Sequence, residues 1–83
     1  NHYEAMLYVA RAYFLGENIE KDTDMSFKWH KKITQFLLKR QNGKIDYHIY
    51  YTIHSFGKIY EMMYETDKDL EKSLYFYNIL LKE

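Results

Sequence analysis

One feature restricts this chain more than any other: its pattern is written twice. A shift of 47 residues carries position 9 onto position 56 and lays Val9 on Phe56, Tyr13 on Tyr60, Asp22 on Asp69, Ser26 on Ser73, Trp29 on Phe76 and His30 on Tyr77. No gap is needed between positions 9 and 30. Each copy reads as helix–turn–helix, so the expected fold is all-α. It is an α-α superhelix, or solenoid, of two helix-turn-helix repeats with four antiparallel helices, spanning about 5–38 and about 47–82. One unit of this kind cannot bury its own apolar face, and stacked neighbours bury each other's.

The helices follow from apolar spacing. Ala5, Val9, Ala12, Tyr13 and Leu15 recur every three or four residues and define one face of the first helix. Gly16 stops it, because a residue without Cβ accepts the left-handed conformation past a helix end. Met25, Trp29, Ile33 and Phe36/Leu37 mark the second helix, with Asp22 or Thr23 as its cap and Asn42-Gly43 as its end. The third carries Ile49, Ile53, Phe56, Tyr60 and Met63. Its opening, Tyr47 to Ile53, is rich in strand-forming residues, but the helical stripe runs on to Met63. The fourth shows Leu70, Ser73/Leu74, Tyr77 and Leu80/Leu81, and Thr66 with Asp69 resembles a capping box.

Composition narrows the function. Eighty-three residues make at most one small domain, and 47% hydrophobic content excludes a disordered chain. Sixteen aromatic residues supply a large burial area for that length. Twelve basic residues balance twelve acidic ones, so the overall electrostatic signature of a nucleic-acid binder is missing. Zero Cys excludes disulfides, thiolate metal sites and a cysteine nucleophile, and zero Pro with three Gly speaks against a hairpin-rich β domain. The longest stretches without Asp, Glu, Lys or Arg are Tyr47 to Gly57 and Ser73 to Leu81, far short of the ~20 apolar residues of a spanning helix. No secretory leader is visible, and a chain opening on Asn1 reads as a piece of a longer protein.

The first unit resembles the Sel-one-like repeat (SLR), a relative of the tetratricopeptide repeat (TPR-like). The residues that carry the resemblance are Ala5, Val9-Ala10, Tyr13, Gly16-Glu17-Asn18-Ile19, Asp22, Met25-Ser26, Trp29-His30 and Ile33-Thr34. Asn18 stands where that family has a Gly, and Asn is the next-best residue for a left-handed position. The second unit is more divergent: Gly57, Tyr60, Asp69, Lys72 and Tyr77 match, while Met63 and Glu65 replace both loop glycines. A different turn geometry is expected there, since a left-handed non-Gly residue costs ~1–2 kcal/mol. The period is longer than that family usually shows, and the excess is placed in the link from Lys39 to Tyr47. A generic tetratricopeptide pair fits less well, for its period is 34 and its second helix ends in Pro. Small residues at Ala10/Gly57 and Ser26/Ser73 are expected to let helices approach closely, with Trp29/Phe76 and Tyr13/Tyr60 filling the wedge between them.

The resemblance implies an adaptor or scaffold with no chemistry of its own, binding a peptide or partner domain on the concave face lined by each unit's first helix. The positions not used for packing are Glu4, Leu7/Tyr8, Arg11 and Phe14, with Tyr51, His54/Ser55, Lys58 and Glu61 beside them after the shift. Aromatic and cationic groups on one curved face suit protein recognition. A solvated helix face is the plain alternative, and a spacer or dimerisation segment of a larger repeat protein is another. Two repeats in isolation also imply a longer array, a homodimer or exposed apolar ends.

Chemistry finds little footing. His48 and His54 are six apart and face different sides, and His2 and His30 supply no i, i+4 ligand pair, so no metal is expected. Ser55 adjoins His54, yet neighbouring helical residues do not face each other, and no enzyme is expected. Lys58 and Glu61 read as an exposed charge network. Without a Gly-rich phosphate loop no nucleotide cofactor is implied. Single-stranded RNA binding by stacking is a weaker reading, because the acids cancel the bases.

Overall fold

A computed structural model describes residues 2–82. Among them the chain is all helix: α1 His2–Leu15, α2 Thr23–Arg40, α3 Tyr47–Met62 and α4 Asp67–Leu81. No strand forms among the described residues, and the segment from Tyr47 to Ile53 is the opening of α3. Asp46 caps that helix by accepting from the Ile49 N–H at 2.8 Å. The helices pair as two helical hairpins, and the chain divides into two compact units, one ending at Lys39 and the other starting at Arg40.

A serine hydroxyl marks the close approach of the helices in each hairpin. Ser26 Oγ donates to the Ala10 carbonyl at 2.8 Å, and Ser73 Oγ donates to the Gly57 carbonyl at 2.8 Å. These four residues are the pairs that the 47-residue shift superposes. A mid-helix carbonyl has a second lone pair free after its own helical bond, but a side chain as short as serine reaches it only if the axes come close. Small residues at the contact permit that approach. Over Gly57 lies the ring of Tyr77, so close that a Cβ there would meet Cε1 at 2.7 Å and Cδ1 at 2.9 Å.

The two joints differ as their residues require. In the first, Gly16 (φ 76°) and Asn18 (φ 64°) are left-handed, and the Asp22 N–H returns to the Tyr13 carbonyl at 2.9 Å. Asp22 then caps α2, its Oδ1 accepting from the N–H groups of Asp24 and Met25 at 3.1 Å each. In the second, Met63 has φ −118°, with no left-handed residue to follow, and α4 opens at Asp67. Asp69, the shifted counterpart of Asp22, therefore lies inside its helix. It closes the capping box from there, accepting at Oδ2 from the N–H groups of Glu65 (3.0 Å) and Thr66 (3.3 Å). Asn42 (φ 56°) and Gly43 (φ 82°) end α2 as expected.

Buried faces depart from expectation in four places. In α1 the buried residues are Ala10 and Phe14, whereas Ala5 and Leu15 are exposed and Val9, Ala12 and Tyr13 half-buried. The face is turned by one position because α2 touches at Ala10. In α2, Ile33 and Leu37 are buried but Trp29 only half so, with Lys32 Nζ 4.6 Å from its ring. Its counterpart Phe76 is fully buried, stacked on Tyr60 (6.0 Å, 18°) and edge-on to Phe56 (5.6 Å, 68°). Val9 offers no such ring edge to Trp29. In α4, Leu74 and Leu81 are exposed, while Asp69 and Lys72 are buried as an ion pair at 3.4 Å. Met63, expected on the α3 stripe, is exposed as well.

Candidate partner-binding faces

Opposite its packed side, α1 exposes Glu4, Tyr8 and Arg11. Tyr8, Arg11, Ala12 and Glu17 line an open depression of about 210 Å³. Arg11 Nε lies 3.5 Å from Glu17 Oε1, and both side chains are well exposed, so the pair contributes about 0–1 kcal/mol and yields readily to a competing ligand. Phe14, expected on this face, is not there. It is 9% exposed and lies one turn from Ala10 on the packed side.

On α3, Tyr51, Lys58 and Glu61 are exposed and His54 is half-buried. Four rings form an unbroken chain along this side. Tyr47 meets Tyr51 at 4.6 Å and 69°, Tyr51 meets Tyr50 at 5.6 Å and 80°, and Tyr50 stacks on His54 at 6.0 Å and 15°. His54 in turn touches Tyr77 of α4 at 5.6 Å. The Tyr77 hydroxyl donates to Glu61 Oε1 at 2.7 Å. Burial and the neighbouring Glu61 carboxylate both push that hydroxyl above the usual tyrosine range. A hydrogen bond with Tyr51 raises the Tyr47 hydroxyl too.

Glu61 is thus held by Tyr77 rather than by a network with Lys58, and Lys58 forms no ion pair among the described residues. Tyr47 and Tyr50 were missing from the expected face. Tyr47 stands four residues before Tyr51 and Tyr50 four before His54, a signal obscured by a run that also reads as strand.

His30, the counterpart of Tyr77, is buried. Its Nδ1 lies 3.4 Å from Ser26 Oγ, whose proton goes to the Ala10 carbonyl, so Nδ1 carries the hydrogen. Burial lowers its pKa to about 4, a backbone hydrogen bond at Ser26 only partly opposing, and the ring is neutral at pH 7. Among the described residues no three His, Asp or Glu side chains gather where they could hold a metal ion. No helix among them is long and apolar enough to cross a membrane. Compared with known proteins, the chain matches no protein-family model, no curated protein and no solved structure.

Proposed function

We propose that this chain is a non-catalytic protein–protein interaction module, a scaffold or adaptor piece of Sel-one-like type, that holds a peptide or partner domain on the outer faces of α1 and α3. The observation that carries the reading is the composition of those faces. Each sets exposed tyrosine on the same side as an exposed cation, Tyr8 one turn from Arg11 and Tyr51 two turns from Lys58, on a helix whose other side is locked by a serine–carbonyl bond. Tyrosine supplies contact area at low entropic cost, and a rigid helix holds it ready. The family resemblance is supported by the left-handed Gly16 and Asn18 and by the paired small-residue contacts.

The test is affinity capture with the chain and with its Arg11→Glu/Lys58→Glu variant. A partner retained by the first and lost by the second, with the melting temperature unchanged, supports the reading. Equal retention by both, or no partner at all, sinks it. A second reading, self-association, is favoured by one observation: Leu74 and Leu81 are both exposed and lie two turns apart on α4. Sedimentation at several concentrations, repeated with Leu74→Glu, separates the two.

A further inference from the structure

Within the interaction-module reading, on which this rests, the geometry points to one class of ligand for α3: a proline-rich peptide in the extended polyproline conformation, carrying a carboxylate beyond its prolines. Tyr47 is 78% and Tyr51 51% exposed, so the ring chain is a surface open to solvent rather than part of a core.

Its angles select the ligand. Tyr47, Tyr51 and Tyr50 meet at 69° and 80°, which makes corners, each bounded by one ring's face and the next ring's edge. Corners of this kind receive a puckered pyrrolidine. A flat nucleobase wants a parallel plate, and the one near-parallel pair, Tyr50 and His54, is already closed on itself at 15°. From Tyr47 to His54 the helix rises roughly 10 Å, at about 1.5 Å per residue. One polyproline turn advances about 9 Å, so prolines one turn apart match the length of the ring chain. Polyproline backbone makes no internal hydrogen bonds, and tyrosine hydroxyls are suited to serve its carbonyls.

Charge sets the other end. Lys58 lies one turn beyond His54, is exposed and has no ion-pair partner among the described residues. The nearest acid along the helix face, Glu61, already accepts the Tyr77 hydroxyl at 2.7 Å. Glu61 keeps its charge but lies seven residues beyond His54 against four for Lys58, so the ring chain ends nearest a cation, which suits one carboxylate rather than a run of phosphates.

The experiment is fluorescence anisotropy with the whole chain and three labelled probes: a proline-rich decapeptide ending in glutamate, the same peptide ending in lysine, and an oligouridylate. The glutamate-tailed peptide is expected to bind best. Tyr51→Ala and Tyr47→Ala should each weaken it about tenfold or more with unchanged circular dichroism, since both rings are solvent-exposed. Lys58→Glu should reverse the preference between the two tails. Tighter binding of the oligouridylate, indifference to Tyr51→Ala, or no binding of either peptide overturns the proposal. If the peptides fail while Arg11→Glu/Lys58→Glu still releases a captured partner, the ligand class is wrong and the interaction module stands. If that double variant also changes nothing, both are wrong.

Discussion

The two hairpins share one contact and differ in nearly everything around it. In both, a serine hydroxyl from the second helix reaches a carbonyl of the first at 2.8 Å. The first hairpin joins its helices through left-handed Gly16 and Asn18, whereas the second turns more tightly and starts its second helix at Asp67, three residues before the place onto which the shift carries Thr23. The close helix contact is therefore independent of the joint that delivers the helices to it. The large rings follow neither copy faithfully. Phe76 sits in a three-ring cluster with Phe56 and Tyr60, while Trp29 lies half in water under Lys32.

The largest effect should come from that last difference. Phe76→Ala removes a fully buried ring and should destabilise by ~3–5 kcal/mol. Trp29→Ala, at a half-buried position, should cost about 1–2 kcal/mol, even though tryptophan is the larger side chain. Denaturant unfolding of both variants gives the comparison. Equal losses would mean that the shifted positions are energetically equivalent, and the contrast between hairpins would collapse.

Acid should separate the hairpins next. His30 has a folded pKa of about 4 against an ordinary 6.5, so the unfolded chain takes up its proton first. Stability is unaffected by this group above pH 6.5 and falls as pH drops through 6.5 towards 4, by at most about 3.5 kcal/mol at 1.4 kcal/mol per unit. The second hairpin has Tyr77 at this place, whose hydroxyl is shifted up and away from that window. Asp69 acts lower still. Burial pushes its carboxyl up, but the Glu65 and Thr66 N–H groups and Lys72 outweigh burial and hold it below its ordinary 3.8. Its contribution is present above that value and is lost only as pH falls through the lowered one. Stability followed downward from pH 7 should therefore fall first in the His30 window and again only below pH 3.8. His30→Gln should flatten the upper fall, and an unchanged upper slope would remove His30 from the explanation.

What the sequence made legible is what depends on local backbone chemistry or on residue size. Gly16 and Asn18 announce a left-handed turn, Met63 announces its loss, and the small pairs Ala10/Gly57 and Ser26/Ser73 announce a close crossing. The centre of a helix face is less legible. Val9/Tyr13 and Ala10/Phe14 are both four-residue pairs, 100° apart, and only the touch of Ser26 at Ala10 decides that Phe14 turns inward. Specific side-chain bonds across a hairpin were beyond reach. Glu61 and Tyr77 are 16 residues apart, and their bond exists only once α3 and α4 are in register.

The smallest effect is the most diagnostic, because it lies at the shared contact itself. Alanine normally improves a helix over glycine by roughly 0.5–1 kcal/mol, and Ala10 already shows that the first hairpin accepts a Cβ at this place. Gly57→Ala should do the opposite of what propensity says. Its Cβ would fall 2.7–3.0 Å from three atoms of the Tyr77 ring, which is tethered at its far end to Glu61. Overpacking of that kind costs about 1–3 kcal/mol, so a net loss of about 1 kcal/mol is expected. In a Tyr77→Ala background the same substitution should become stabilising by roughly 0.5–1 kcal/mol, because only the propensity gain remains. The mirror change, Ala10→Gly, should lose about that amount, since His30 occupies the place of the tyrosine there. If Gly57→Ala were equally harmful with and without Tyr77, the glycine would be serving backbone conformation instead of the ring. The second hairpin's divergence would then have to be explained without the tyrosine that replaces His30.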